Sequence, residues 1–337
     1  MTTLLNRRVL LAAHPNGRPV ASDFRIDSQP LPAPAQGQLL LEILYLSLDP
    51  YMRTRIDAGA TYAESVPLGG VMLGATVARV KQSHHPDWRE GEIVLSYSGW
   101  QQYALSDGSG LRRIDPALAP VSTALGVLGM TGFTAWVGLE EIGRPRPGET
   151  VVVAAASGAV GSVVGQIARI KGARVVGIAG GAEKCAYVKD ELGFDAVVDH
   201  RAPDVAERLR AACPDGIDVY FENVGGAVLE AVKPLLNQFA RIPVCGLISQ
   251  YNDAVMDASI SLSDTLFKRL TVRGFIQSDY LEQHQDAFLA QGAAWIREGV
   301  LRWREDVVDG LENAPEAFIG MLEGKNFGKL VVRLAGD

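Results

Sequence analysis

The sequence predicts two domains, a doubly wound α/β domain on a parallel sheet and a compact, mostly antiparallel β domain. Three observations carry this. At 337 residues the chain exceeds the size at which one hydrophobic core stops growing, so it divides. From about residue 125 onward, apolar β-branched runs alternate with segments of helical period, the pattern of βαβ units. Before that point the apolar runs are short, cut by Pro and Gly, and follow one another without helical segments between them.

In the first part, strands are predicted over 38–46, 71–80, 92–97 and 100–105, each bounded by turn residues. The Pro-rich stretch 29–35 is short and lies between strand candidates, so it is an ordered connection rather than a linker. In the second part the strands are 150–155, 174–179, 196–198, 217–221, 241–245 and 272–276. Helices are predicted between them over 162–171, 183–192, 204–212 and 227–236, giving a doubly wound order. A long helix over 285–297, another over 310–323 and a strand over 329–334 follow. The last forty or so residues return to the first domain, so the expected division is 1–122 with 298–337 against 123–297. No internal repeat is visible.

With 47% hydrophobic and 21% charged residues, the composition is that of an ordinary globular protein and excludes long disordered tracts. A net charge of −7, with both signs spread along the chain, argues against general affinity for nucleic acid or anionic membranes. The expected partner is a small molecule. Cys185, Cys213 and Cys245 stand far apart with no C-x-x-C pair, which fits a reducing compartment. The N-terminus lacks a secretion signal, and no apolar run approaches the roughly twenty residues of a membrane span. A cytoplasmic location is therefore expected.

The first strand of the second domain runs into Ala156-Ser-Gly-Ala-Val-Gly-Ser162 and then a helix. This matches the Rossmann dinucleotide fingerprint, with Ala156 in place of its first glycine. Gly158 lets the backbone approach a pyrophosphate, and Gly161 lets the helix lie close on the strand. The helix start at Ala159, Val160, Gly161 and Ser162 offers free N–H groups and a partial positive charge. The same spacing also serves a plain tight turn, and the surrounding strand, helix and strand favour the diphosphate. About twenty positions on, where an NAD site carries an acid, this chain has Gly180-Gly181. Lys184 follows near the start of the next helix, where a cation meets a 2′-phosphate; the alternative is a solvated helix residue. A charge-assisted contact contributes about 1.5–3 kcal/mol, or about ten- to hundredfold in affinity, so NADPH is the expected cofactor. His200 and Arg201, just beyond the third strand, add stacking or charge. Glycines and polar groups also cluster at 222–226 and 245–251, beyond two further strand ends, where open α/β sheets bind ligands.

Taken together, Leu48-Asp-Pro-Tyr-Met-Arg53, Ser98-Gly-Trp100, Gly129-Met-Thr-Gly-Phe-Thr-Ala135, Ala155-Ala-Ser-Gly-Ala-Val-Gly-Ser162, Glu222-Asn-Val-Gly-Gly226 and Asn326-Phe-Gly-Lys329 resemble the zinc-free medium-chain alkenal, prostaglandin and curcumin reductases. The resemblance covers nearly the whole chain. It implies a GroES-like first domain, a Rossmann second domain, NADPH between them, and a homodimer joined through the Rossmann sheets. It also implies reduction of the C=C bond of α,β-unsaturated ketones or aldehydes. Cofactor contacts carry over to Ala159, Val160, Gly161, Ser162, Lys184, Asn223, Cys245, Gly246, Ile248, Ser249, Tyr251, Phe275, Ile276, Gln277 and Asn326. His200 stands where these reductases usually have a tyrosine near the 2′-phosphate.

No metal is expected, because the first domain has no cysteine and the four-cysteine lobe of the metal-using relatives is missing. His14, His84 and His85 show no ligand spacing. Without zinc, charge gathering on the carbonyl oxygen during hydride transfer must be met by hydrogen-bond donors. Tyr251 is the first candidate, by the resemblance, with Tyr51 and Arg53 from the first domain next; the alternatives are interface filling by the tyrosines and simple ion pairing by Arg53. Trp100, Met130, Phe275 and Tyr280 line the pocket or belong to the core. Two other functions stay open at this point, an NADPH quinone reductase on the same architecture and a catalytically silent NADPH-binding sensor or scaffold.

Overall fold

The computed structural model describes residues 4–59 and 61–336; Met1–Thr3, where the N-terminal reading begins, lie outside the described residues. The chain forms two compact units, one of residues 1–126, 305–326 and 330–337 and the other of 127–304 and 327–329.

The first unit opens with an antiparallel hairpin, β1 (Leu5–Leu11) against β2 (Phe24–Pro30), in which Leu5 faces Pro30 and Leu11 faces Phe24. Sequence reading missed this pair, because Arg7-Arg8 interrupts the alternation of β1 and Pro30 ends β2. β3 (Leu39–Ser47), β4 (Thr76–Ser83), β5 (Ile93–Ser96), β6 (Tyr103–Ser106) and β7 (Arg112–Arg113) follow. β4 starts later than the predicted 71, and Val71 instead makes a lone bridge to Leu10.

The second unit begins with α1 (Met130–Val137) and builds a six-stranded parallel sheet. Its members are β8 (Thr150–Val153), β9 (Arg174–Ala179), β10 (Ala196–Asp199), β11 (Ile217–Phe221), β12 (Leu236–Val244) and β13 (Thr271–Gly274). Their order is β10-β9-β8-β11-β12-β13, so the doubly wound prediction holds. All of β8 is buried, which is why it reads as an unbroken β-branched run. The connecting helices are α2 (Gly161–Ile170), α3 (Ala182–Ala186), α4 (Val205–Ala212), α5 (Gly226–Val232) and α6 (Leu262–Lys268), followed by α7 (Leu281–Arg297). α6 went unpredicted although its start carries a signal, the Ser261 hydroxyl accepting from the Asp264 amide. β12 starts earlier than the expected 241, because a register shift against β11 and a left-handed Phe239 (φ 63°) carry the polar residues Asn237 and Gln238 into the strand.

The chain then forms β14 (Glu305–Asp309), α8 (Ala314–Leu322) and β15 (Lys329–Arg333). β15 pairs antiparallel with β3, and β14 lies outside it in a seven-stranded sheet. Beside that sheet, Trp100 is fully buried, stacked 5.9 Å from Phe24 and edge-on to Phe318 at 5.7 Å. It is a core residue, so of the two readings open for Trp100 the second holds.

In the second unit, α2 buries Val163, Val164 and Ile167 against β8 and β9, each worth about 1.5–3 kcal/mol. Gly165 sits on the same helix with the Phe194 ring in the space a Cβ would fill, 1.8 Å from its nearest atom. Gly165→Ala must therefore displace Phe194, and a loss of about 1–3 kcal/mol in denaturant unfolding is expected.

Candidate functional site

The turn from β8 into α2 is tightly built. Ala155 adopts a left-handed conformation (φ 52°), and its carbonyl accepts from the Gly158 amide at 2.9 Å. A Cβ on Gly161 would stand 2.3 Å from that same oxygen, so only glycine lets the helix begin there. The first helical bond runs from the Ser162 amide to the Gly158 carbonyl at 3.0 Å. The amides of Ala159 and Val160, half-exposed at the start of this ten-residue helix, have no partner among the described residues. Unmatched amides at a helix start, where the dipole is positive, are the donor set a diphosphate requires, so the residues fit a dinucleotide. Gly158 also makes a parallel bridge to Gly328. Asn223 donates its side-chain amide to the Ala154 carbonyl at 2.8 Å, tying the end of β11 to this turn.

At the end of β9, Gly180 and Gly181 lead into α3. A Cβ on Gly180 would meet His200 Nε2 at 2.6 Å and Arg201 Nε at 3.0 Å, and one on Gly181 would meet Arg201 Nη1 at 3.2 Å. Both basic side chains therefore lie over the bare glycines. Lys184 acts on His200 from α3, with its ammonium 6.0 Å from the Phe327 ring centre. Burial first, then the Arg201 charge, push the His200 imidazole below its usual range. The gap in carboxylates read from the sequence is only partial, because β10 ends in Asp199. One Asp199 oxygen accepts from the Gly181 and Arg201 amides at 3.0 and 2.9 Å, which holds its carboxyl below the usual range. A strand-ending acid is a signal that sequence reading passed over.

Beyond β11, Glu222 is 2% exposed, and its Oε1 accepts from the Val224 and Gly225 amides at 2.6 and 2.9 Å. Its backbone carbonyl takes the Cys245 amide at 2.9 Å and the Gly246 amide at 3.2 Å, so the loops after β11 and β12 are held together. The Ile248 amide donates to the Asn223 carbonyl at 3.2 Å, and the Ser249 hydroxyl to Val224 at 2.6 Å. Burial, then Glu222, push the Cys245 thiol to about 12, which leaves it protonated and unreactive at neutral pH. The Tyr251 hydroxyl accepts from the Leu247 amide at 3.3 Å and lies 2.8 Å from where a Gly246 Cβ would stand. Phe275 is buried edge-on to Phe221, while Ile276 is 36% exposed and Gln277 opens a short helical turn.

In the first unit, Tyr51 and Arg53 share the helical turn Pro50–Arg55. Burial, then Asp49, Tyr97 and Tyr62, push the Tyr51 phenol upward, so it is a donor and not a base. Arg53 is 3% exposed and donates to Asp57 Oδ1 at 2.6 Å and to the Gly17 carbonyl at 2.7 Å. The first of these is the pairing with a neighbouring carboxylate that the sequence left open as the alternative. Asn326 is half-buried in this unit, just before β15. Among the described residues, no group of three or more His, Cys, Asp and Glu is arranged to hold a metal ion. His14 Nδ1 stands 2.8 Å from the Ile56 carbonyl, and His85 Nδ1 accepts from the Asp87 amide at 3.1 Å.

Comparison with known proteins gives the class to which this architecture belongs. Residues 7–114 match a family model described as N-terminal domain of oxidoreductase, and 159–290 match one described as zinc-binding dehydrogenase. These two parts define an oxidoreductase of the medium-chain dehydrogenase/reductase class. The chain is 51% identical to the NADPH-dependent curcumin reductase of Escherichia coli over 337 residues, covering 98% of each chain. It is 41% identical to prostaglandin reductase 1 of Oryctolagus cuniculus, covering 95% of this chain and 90% of that one. CurA from Vibrio vulnificus, solved in complex with NADPH, superposes with a TM-score of 0.94 at 51% identity, covering 98% of this chain and 100% of that one. Within its class the chain therefore belongs to the zinc-independent double-bond reductase family.

Proposed function

We propose that this chain is an enone and alkenal reductase that uses NADPH to reduce the C=C bond of α,β-unsaturated ketones and aldehydes without a metal. The observation that carries the reading is the pair of bare-backbone cradles, one at Gly158 to Ser162 and one at Gly180-Gly181 under His200 and Arg201. The names of the E. coli and rabbit relatives, a curcumin and a prostaglandin reductase, support it.

In this reading the diphosphate takes the amides of Ala159, Val160 and Gly161, and the 2′-phosphate takes Lys184, His200 and Arg201. The loops at Asn223, Cys245 to Tyr251 and Phe275 to Gln277, together with Asn326, hold the nicotinamide half. NADPH, when bound, supplies the hydride that the substrate's β carbon receives. The chain's part is to meet the negative charge that arrives on the carbonyl oxygen, and a proton from solvent then completes the α carbon. Tyr251 is the first donor and Tyr51 the second, and the Tyr51 phenol, pushed upward by burial, stays protonated to donate at neutral pH. Arg53 fixes the turn that carries Tyr51. The reading takes the unit of residues 1–126, 305–326 and 330–337, expected from the sequence as 1–122 with 298–337, as the substrate domain, and the unit of 127–304 and 327–329, expected as 123–297, as the cofactor domain. It also includes a homodimer joined through the six-stranded sheets, which end at the exposed strand β13.

Three outcomes test these assignments. Tyr251→Phe is expected to lower the turnover of an enone such as 1-octen-3-one by about a hundredfold, with the NADPH dissociation constant unchanged. An unaltered rate removes Tyr251 from the chemistry. Lys184→Ala is expected to weaken NADPH about tenfold in calorimetry and to leave NADH unaffected, and equal losses for both refute its phosphate role. The sign of the pH dependence follows from His200, which burial first and then Arg201 and Lys184 push down, and which Asp199 pulls up. A phosphate beside the imidazole raises its proton affinity, so binding takes up a proton. NADPH affinity should therefore rise as pH falls from the usual imidazole range toward the lowered one of His200, until protonation of the phosphate itself, near about 6, opposes it. NADH affinity should not, and His200→Gln should flatten the NADPH curve.

A further inference from the structure

Of the motif Asn326-Phe-Gly-Lys329, the proposed function uses only the asparagine. The next residue, Phe327, lies in the second unit, where the segment 327–329 is pinned on two sides. Gly328 bridges to Gly158 of the cradle, and the Lys329 amide donates to the Arg304 carbonyl at 2.9 Å. Gly328 takes a φ of 86°, and a Cβ there would stand 2.3 Å from that same carbonyl oxygen, so the approach of the two segments requires glycine. The Phe327 ring is thereby set against the start of α3.

Two cations and one aromatic edge meet this ring. The Arg304 guanidinium lies over it at 3.9 Å from the ring centre, the Tyr187 ring stands edge-on to it at 5.1 Å, and the Lys184 ammonium is 6.0 Å from its centre. Lys184 and Tyr187 are three residues apart on α3 and the helical turn that continues it, which puts both on the face that Phe327 meets. Arg304 also lies over the Tyr187 ring, at 5.9 Å, and has neither an ion pair nor a side-chain hydrogen bond among the described residues. Its guanidinium holds rings and balances no acid. Lys184 also acts on His200, so the same lysine joins the ring to the basic group over Gly180-Gly181.

An exposed lysine samples many rotamers, and its contact with a phosphate must overcome the entropy of fixing one. A ring face within about 6 Å attracts an ammonium and narrows that sampling before any ligand arrives. The ring can do so only if it is itself fixed, and here the Arg304 stack, the Tyr187 edge and the Gly328 bridge fix it. Two cations gathered at one ring repel each other, a cost that an anion beside Lys184 removes.

We propose that Phe327, held by Arg304, is a positioning residue for cofactor selection, which presets Lys184 for the 2′-phosphate of NADPH without touching the cofactor itself. The inference rests on the reading of Lys184 as the ligand of that phosphate, and adds two residues that set the preference for NADPH over NADH.

The test measures the dissociation constants of the full chain for NADPH and NADH by calorimetry, in a double-mutant cycle. Phe327→Leu, which keeps an apolar side chain, should weaken NADPH about fivefold and leave NADH unchanged, and Phe327→Tyr should restore the NADPH value. In a Lys184→Ala background the same Phe327→Leu change should have no further effect, because the ring acts through the lysine. Arg304→Gln, at an exposed position, should weaken NADPH about threefold with the same silence in that background; it decides the matter if Phe327→Leu does not fold. Equal losses for both cofactors, losses that add to that of Lys184→Ala, or no loss at all would overturn the proposal. If Lys184→Ala loses NADPH selectivity while both ring variants keep it, this inference alone fails; if Lys184→Ala keeps it, the phosphate reading fails as well.

Discussion

Everything that positions the candidate site depends on one crowded carbonyl. The Ala155 oxygen receives the Gly158 amide and stands where a Gly161 side chain would otherwise be. Holding a non-glycine residue at φ 52° costs on the order of 1–3 kcal/mol. The packing of α2 against β8 and β9 offsets that strain, with Gly161 letting the helix begin beside the Ala155 oxygen and Gly165 leaving room for the Phe194 ring. The first amides of the helix, like those of any helix start, have no carbonyl of their own to bind, and the tight turn leaves those of Ala159 and Val160 without a partner among the described residues. Asn223, which reaches back to Ala154, extends the same constraint to the end of β11.

Electrostatics at the other end of the cradle rest on how one acid is used. Asp199 lies among cations, yet its oxygen is engaged by two backbone amides, so part of its charge serves to fasten the turn after β9 to the turn after β10. What remains toward solvent is a predominantly basic group of Lys184, Arg201 and a neutral His200. The loops after β11 and β12 show the same economy, since the Glu222 backbone carbonyl alone receives two amides from the second loop.

The parallel sheet was legible because its strands are buried on both faces and therefore spell β-branched runs, and because each βα turn is marked by glycine. The fingerprint from Ala156 to Ser162 was legible for the same reason, since close backbone approach admits few residue types. Elements whose signal is spread over two chain segments were not. The β1–β2 hairpin mixes charged and apolar residues because one of its faces is exposed, and the early start of β12 depends on a register shift that no local pattern announces. Within the candidate site, the glycines and Lys184 could be named from spacing, but the engagement of Arg53 with Gly17 and Asp57 could not. The Asp57 pair is local, four residues on, but the bond to Gly17 joins positions 36 residues apart that only the folded backbone brings together.

The crowding over Gly180 also limits how this chain can change. With the imidazole nitrogen 2.6 Å from the would-be Cβ and a guanidinium nitrogen at 3.0 Å, no side chain enters position 180 while residues 200 and 201 keep their present rotamers. An evolutionary route that places an acid there must first shrink or turn aside His200 and Arg201. The two strand ends are thus epistatic, and the order of substitution is set by space before charge has any say.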